Sequence, residues 1–174
     1  MVDRYGSFAE MAAEMQRRAP GAWIAAAHAE MTRPQGTASA ILAEARAMTD
    51  VTGFGLAGHL LNICEASGCA ARMSLVPGLF MTGAQDLAKA GIRSTLYPQN
   101  RAQAPYLPGL ADPGDRARVD LLFDPQTAGG LLAAIAPERA GKVLADLLAA
   151  GYPAIRLGSL IEGNPRLSLG PSSL

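Results

Sequence analysis

Apolar positions along the chain switch between the period of a helix and that of a strand, so the two kinds of element should follow one another. Phe8, Met11, Ala12 and Met15 fall at i, i+3, i+4 and i+7 within a segment opened by the capping box Ser7-Phe8-Ala9-Glu10. They predict a first helix, ended by Pro20-Gly21. Trp23 to Met31 predicts a second helix and, after Pro34-Gln35-Gly36, a third runs from about Thr37 to Arg46. Ala47 to Thr52 reads as a strand feeding a turn. Gly55 to Ser67 reads as a helix with Leu56, Leu60 and Ile63 on one edge and Gly68 as its stop. Ala70 to Val76 predicts a strand and Gly83 to Ala90 a helix stopped by Gly91. Residues 92–118, rich in proline and poor in periodicity, read as loop. Val119 to Phe123 and Gly130 to Ala136 predict strands on either side of an Asp-Pro turn. Pro137 opens a helix whose buried stripe is Val143, Leu144, Leu147 and Leu148, and Gly151 stops it. Ala154 to Ile161 and Arg166 to Leu169 predict closing strands. This order points to an α/β (α+β) fold, a layered sandwich of a mixed sheet with helices.

Composition narrows the class. The chain has 174 residues, which suits one domain, and 49% hydrophobic against 17% charged residues exclude a disordered chain. Fifteen basic residues balance fifteen acidic ones, so no nucleic-acid footprint is expected. No apolar run approaches the ~20 residues of a membrane helix, and the start MVDRYGSFAEM lacks the apolar segment of a secretory signal. Cys64 and Cys69 are too few for a disulfide scaffold or a zinc site. A cytoplasmic protein with reduced thiols is expected.

Two segments carry candidate chemistry. In Met48-Thr49-Asp50-Val51-Thr52-Gly53-Phe54-Gly55-Leu56-Ala57-Gly58-His59 a strand ends in an acid, a glycine-rich turn follows and a helix begins. Gly53, Gly55 and Gly58 spell G-x-G-x-x-G, but a dinucleotide site also needs an acid about 20 residues on. There is none from Arg72 to Gln85. A more general reading remains: helix N-terminal amides favour phosphate, and Asp50 is a hard oxygen ligand suited to Mg²⁺. Asp50 serves equally well as a cap of its turn. The second segment is Asp124-Pro125-Gln126-Thr127-Ala128-Gly129-Gly130, either a turn with a bulge or a ligand loop. His59, on the helix face away from Leu56, Leu60 and Ile63, reads as a solvated or capping histidine. Cys64 reads as a small buried hydrophobe.

Ala47 to Leu60 and Asp124 to Leu132 resemble the signatures of the selenophosphate synthetase (selenide, water dikinase) family, with a further match at Asn100-Arg101. They match its C-terminal domain, of the aminoimidazole ribonucleotide synthetase-like superfamily. The resemblance covers about residues 8–170 and implies that 1–174 is a single domain. It would be the C-terminal half of such a protein, with the N-terminal catalytic and ATP-binding domain absent. The family makes selenophosphate, AMP and phosphate from selenide, ATP and water with Mg²⁺.

By resemblance Asp50 is a metal ligand. Thr52, Gly53 and Gly55, with Thr127, Gly129 and Gly130, line the ATP-phosphate side at a domain interface. No catalytic residue lies in this chain, which is expected to be inactive alone. The implied partners are the missing N-terminal domain, ATP and selenide, without nucleic acid or membrane, and an unpaired sheet edge would accept a second copy as a homodimer. The alternatives are a catalytically inactive stand-alone binding or scaffold module of the same fold, or a purine-pathway ATP-dependent ligase relative.

Overall fold

The computed structural model describes residues 7–104 and 115–170, with side chains from residue 11 onward. The Ser7–Glu10 capping bond therefore lies outside the described side chains, although helix α1 (Ser7–Met15) forms as expected. Helices α2 (Gly21–Met31), α4 (Gly55–Ser67) and α8 (Pro137–Ala149) also follow the sequence pattern closely, and α4 stops at Gly68 with left-handed backbone. The third helix is shorter than expected: α3 spans only Gly36–Ile41. α5 (Ala84–Lys89) falls inside its expected segment.

Among the described residues the strands form two sheets rather than one. β1 (Ala47–Asp50) and β3 (Leu131–Ala134) pair antiparallel, Asp50 opposite Leu131 and Ala47 opposite Ala134. β2 (Cys69–Met73) lies between β4 (Gly158–Glu162), which is antiparallel to it, and β5 (Leu167–Leu169), which is parallel. The expected mixed sheet is thus present with three strands, and a two-stranded ribbon stands apart from it.

Two segments depart from the pattern. The apolar run Val119–Phe123 is the end of a helix, α7 (Arg116–Leu121), closed by tight turns in which the amides of Leu122, Phe123 and Asp124 each reach back three residues. A short apolar run does not distinguish strand from helix by itself. Here the helical spacing buries Ala117 and Leu121 while Asp120 meets Arg93 and the Tyr97 hydroxyl, 2.7 Å away. Tyr97 opens α6 (Tyr97–Gln103), a helix inside the supposed loop. Its sequence has no apolar stripe, and its buried residue is a polar one, Asn100.

The main core gathers Val51, Leu56, Met73, Leu79, Leu121, Leu122 and Phe123. A second packs Leu42, Leu131, Val143, Leu147 and Tyr152 where α3 and α8 meet β3. On α8, Leu147 is 1% exposed and Leu148, expected in the same stripe, is 53% exposed. Adjacent leucines should therefore respond very differently. Leu147→Ala should cost about 2–5 kcal/mol and Leu148→Ala no more than about 0.5 kcal/mol, read as the shift of the urea unfolding midpoint.

Candidate functional site

β1 and β3 run antiparallel, so the turn leaving β1 and the turn entering β3 meet at one end of the ribbon. The Val51 N–H donates to Gly130 O and the Gln126 N–H to Thr52 O, both at 3.0 Å. Such closeness requires glycine. A Cβ on Gly129 would collide with the Val51 carbonyl, and one on Gly55, where φ is +69°, would lie 2.8 Å from Leu122 O. The neighbouring Ala128 holds a left-handed φ of 49° without being glycine.

Three neutral side chains hold the junction. Asn100, 3% exposed on α6, donates through Nδ2 to Gly53 O at 2.8 Å and to Phe123 O at 3.0 Å, so one amide group ties the two turns together. Gln35 Nε2 donates to Gly129 O at 2.9 Å. His59 is buried, not solvated: the Thr52 N–H donates to its Nε2 at 3.0 Å, and the Thr52 hydroxyl lies 3.3 Å from the same atom. Accepting from an N–H requires Nε2 without a proton, so the neutral ring carries its proton on Nδ1. Burial lowers its pKa below the usual value, and the negative charge of Asp50 offsets this only in part. The helical spacing had turned His59 away from the Leu56 edge, but α4 is buried on both sides over its first two turns, from Gly55 to Leu60.

The sequence-predicted residues thus come together but divide by exposure. Asp50, Gly53 and Thr127 are exposed and Thr52 is half-buried, whereas Gly55, Gly129 and Gly130 are buried. Among the described residues nothing hydrogen-bonds the Asp50 carboxylate. The α4 N-terminus is only partly available to an anion. The Gly55 N–H is taken by Thr52 O and the Ala57 N–H by Leu122 O, at 3.1 and 2.8 Å. Gly55 thereby shapes the turn. Among the described residues no three His, Cys, Asp or Glu side chains cluster as a metal site. The hard oxygens of Asp50 suit Mg²⁺ as a single protein ligand beside phosphate oxygens. Cys64 is buried as expected. Its thiol is pushed up to about 12, by burial first and then by Cys69 and Glu65, which leaves it a poor nucleophile.

Sequence reasoning noted Asn100 only through its resemblance, and Gln35 only as part of the Pro34-Gln35-Gly36 break and as a departure from the family's pattern, without a role at the site. A polar residue opposite a distant backbone carbonyl leaves no local signature.

This layered α+β fold has known counterparts. Residues 7–169 match the family described as AIR synthase related protein, C-terminal domain, and the chain belongs to that family. The selenide, water dikinase of Dechloromonas aromatica is 36% identical over 135 residues, covering 77% of this chain and 39% of that protein. The Burkholderia pseudomallei selenide, water dikinase is 36% identical over 141 residues, covering 80% and 40%. The chain thus spans about two fifths of the length of these relatives. The fold is also that of thiamine-monophosphate kinase from Stenotrophomonas maltophilia, with a TM-score of 0.63 at 17% identity over 97% of this chain and 48% of the other. Among the described residues no helix is long and apolar enough to cross a membrane.

Two outcomes follow from the junction. Asn100→Ala leaves the buried Phe123 carbonyl without this donor and frees the exposed Gly53 carbonyl to water, and should cost about 1–3 kcal/mol, read by urea unfolding. Because the folded state depresses the His59 pKa, its contribution to stability is complete above about pH 6.5, the value in the unfolded chain. It is lost as pH falls from there through the lower folded value. The urea midpoint should fall between pH 7.5 and pH 5, and His59→Gln should flatten that slope.

Proposed function

We propose that this chain serves as the part of a selenide, water dikinase that supplies one Mg²⁺ ligand and the backbone turns beside the ATP phosphates. The observation that carries the reading is the junction itself. Two distant glycine-rich turns are bonded together at the end of the β1–β3 ribbon, with the exposed, unpaired carboxylate of Asp50 at its rim. Relatives bearing that enzyme's name share 36% of residues over most of this chain.

Asp50 would hold the metal together with phosphate oxygens. When bound, Mg²⁺ neutralises charge that develops on the transferred phosphoryl group. The exposed Gly53 and Thr127 and the half-buried Thr52 would face the phosphates, while Gly55, Gly129 and Gly130 keep the two turns close enough to share them. His59, neutral and accepting from the Thr52 N–H, fixes the first turn and plays no proton-transfer part. The remaining phosphoryl-transfer groups would come from the part of the enzyme outside this chain. Cys64, buried and protonated, cannot act as a reactive thiol. Two cysteines in 174 residues, too few for a disulfide scaffold, fit a reducing, cytoplasmic setting.

A second reading, a binding module without turnover, draws on the same single carboxylate: Asp50 alone makes no metal cluster among the described residues.

The isolated chain should form no AMP from ATP and selenide. A hybrid in which residues 7–169 replace the matched segment of the Dechloromonas aromatica relative should form AMP. Asp50→Asn in that hybrid should depress the rate at least ~10-fold, about 1.4 kcal/mol of transition-state stabilisation, with the urea midpoint unchanged. Full activity of the Asp50→Asn hybrid would remove Asp50 from the metal site. A folded hybrid without turnover would favour the module.

A further inference from the structure

Cys64 and Cys69 take no part in the metal and phosphate site, and the fold brings them together at the opposite end of α4. α4 stops at Gly68, whose left-handed backbone (φ 61°, ψ 37°) turns its N–H back toward the carbonyls of Cys64 and Glu65. β2 begins on the next residue, Cys69, which pairs with Glu162 of β4. At a glycine stop of this kind the residue one turn before the glycine and the residue just after it lean on one another. Here those two positions are Cys64 and Cys69. The local backbone therefore sets the two sulfurs side by side, and the thiols are hydrogen-bonded to each other.

Their surroundings differ. Cys64 is fully buried in the main core, whereas Cys69 is half-buried at its margin. A molecule arriving from solvent meets Cys69 first. Small apolar side chains would pack as well in both places, so what two thiols add there is chemistry.

We propose that Cys64 and Cys69 form a reversible redox-modification site, at which a peroxide oxidises Cys69 and Cys64 captures the product as an intrachain disulfide. With hydrogen peroxide, the Cys69 sulfur takes one oxygen, the O–O bond breaks, and a sulfenic acid and one water result. The Cys64 sulfur then attacks the Cys69 sulfur, the S–O bond breaks, and hydroxide leaves with the Cys64 proton as a second water. Two thiols and one peroxide thus give one disulfide and two waters, and the sulfurs lose the two electrons that the peroxide gains. Burial, with Cys69 and Glu65 behind it, raises the Cys64 pKa to about 12, which makes this thiol slow toward a reagent in solution. Against a sulfur already in contact that handicap is offset, because well-oriented intramolecular reactions reach effective molarities of about 10⁵ M or more.

The bridge would pin the last turn of α4 to the first residue of β2. Its use is protective. A sulfenic acid without a nearby thiol goes on to sulfinic and sulfonic acids, which thiols do not reverse, whereas a disulfide is returned to two thiols by exchange in a reducing compartment. None of the residues assigned to metal and phosphate takes part, so the pair and the Asp50 reading are tested separately.

Hydrogen peroxide added to the folded 174-residue chain tests this. One tryptic peptide, Ala47–Arg72, carries both cysteines, and fragment masses separate changes at Cys64 and Cys69 from oxidation of Met48. In that peptide the two cysteines together should lose two hydrogens. Both should stop reacting with a maleimide after unfolding in urea, the chain should stay a monomer, and dithiothreitol should restore both thiols. In Cys64→Ala the resolving thiol is gone. Dimedone should then label Cys69, and the share of Cys69 carried on to sulfinic acid should rise about 10-fold or more over the parent chain. Cys69→Ser leaves the core intact and serves if Cys64→Ala does not fold: the remaining Cys64 should stay a free thiol under the same peroxide.

Sulfinic acid accumulating at Cys69 of the parent chain while Cys64 stays free would overturn the proposal. So would a bridge between two chains instead of within one, or two unreacted thiols under peroxide that oxidises free cysteine. Oxidation of Cys64 in Cys69→Ser at the parent's rate would overturn it too, since the buried thiol would then need no partner to react.

Discussion

Two stretches of backbone, at Val51–Gly55 and at Leu122–Gly130, lie closer together than any side chain between them would permit, and the candidate site depends on that approach. A Cβ at Gly129 would strike the Val51 carbonyl, and one at Gly55 would press on Leu122 O. With the side chains absent, the turns satisfy one another: Thr52 O accepts from Gln126 and Gly130 O from Val51. The same bonds consume part of the donor set that a helix N-terminus offers an anion. Most of the motif's glycines therefore shape the frame, and a ligand would meet the exposed rim of Asp50, Gly53 and Thr127.

The frame is held by polar groups that stay neutral. Asn100 and Gln35 donate to carbonyls of the turns, and His59 accepts from Thr52. A buried charge in these places would carry a desolvation cost of several kcal/mol unless fully paired. Asn100, Gln35 and His59 avoid that cost, and the acidic side chains of the two turns are the exposed Asp50 and the buried Asp124. A cation drawn to Asp50 meets no competing positive side chain hydrogen-bonded to it among the described residues.

Signals confined to a few residues were legible in the sequence: the period and stops of α2, α4 and α8, the acid and glycines of the two turns, and the family likeness that those turns carry. What depends on residues far apart in the chain was decided by tertiary structure. Val119–Phe123 reads as a strand but ends a helix, because Arg93 and Tyr97 are there to receive Asp120. His59 reads as solvated but is buried, because α4 is covered along both sides of its first two turns. Leu147 and Leu148 are equally apolar, and only the packing of α3 and β3 against α8 buries one and exposes the other. The expected single sheet is divided because strand pairing is a contact between distant segments, and periodicity states that a segment can pair without stating with what.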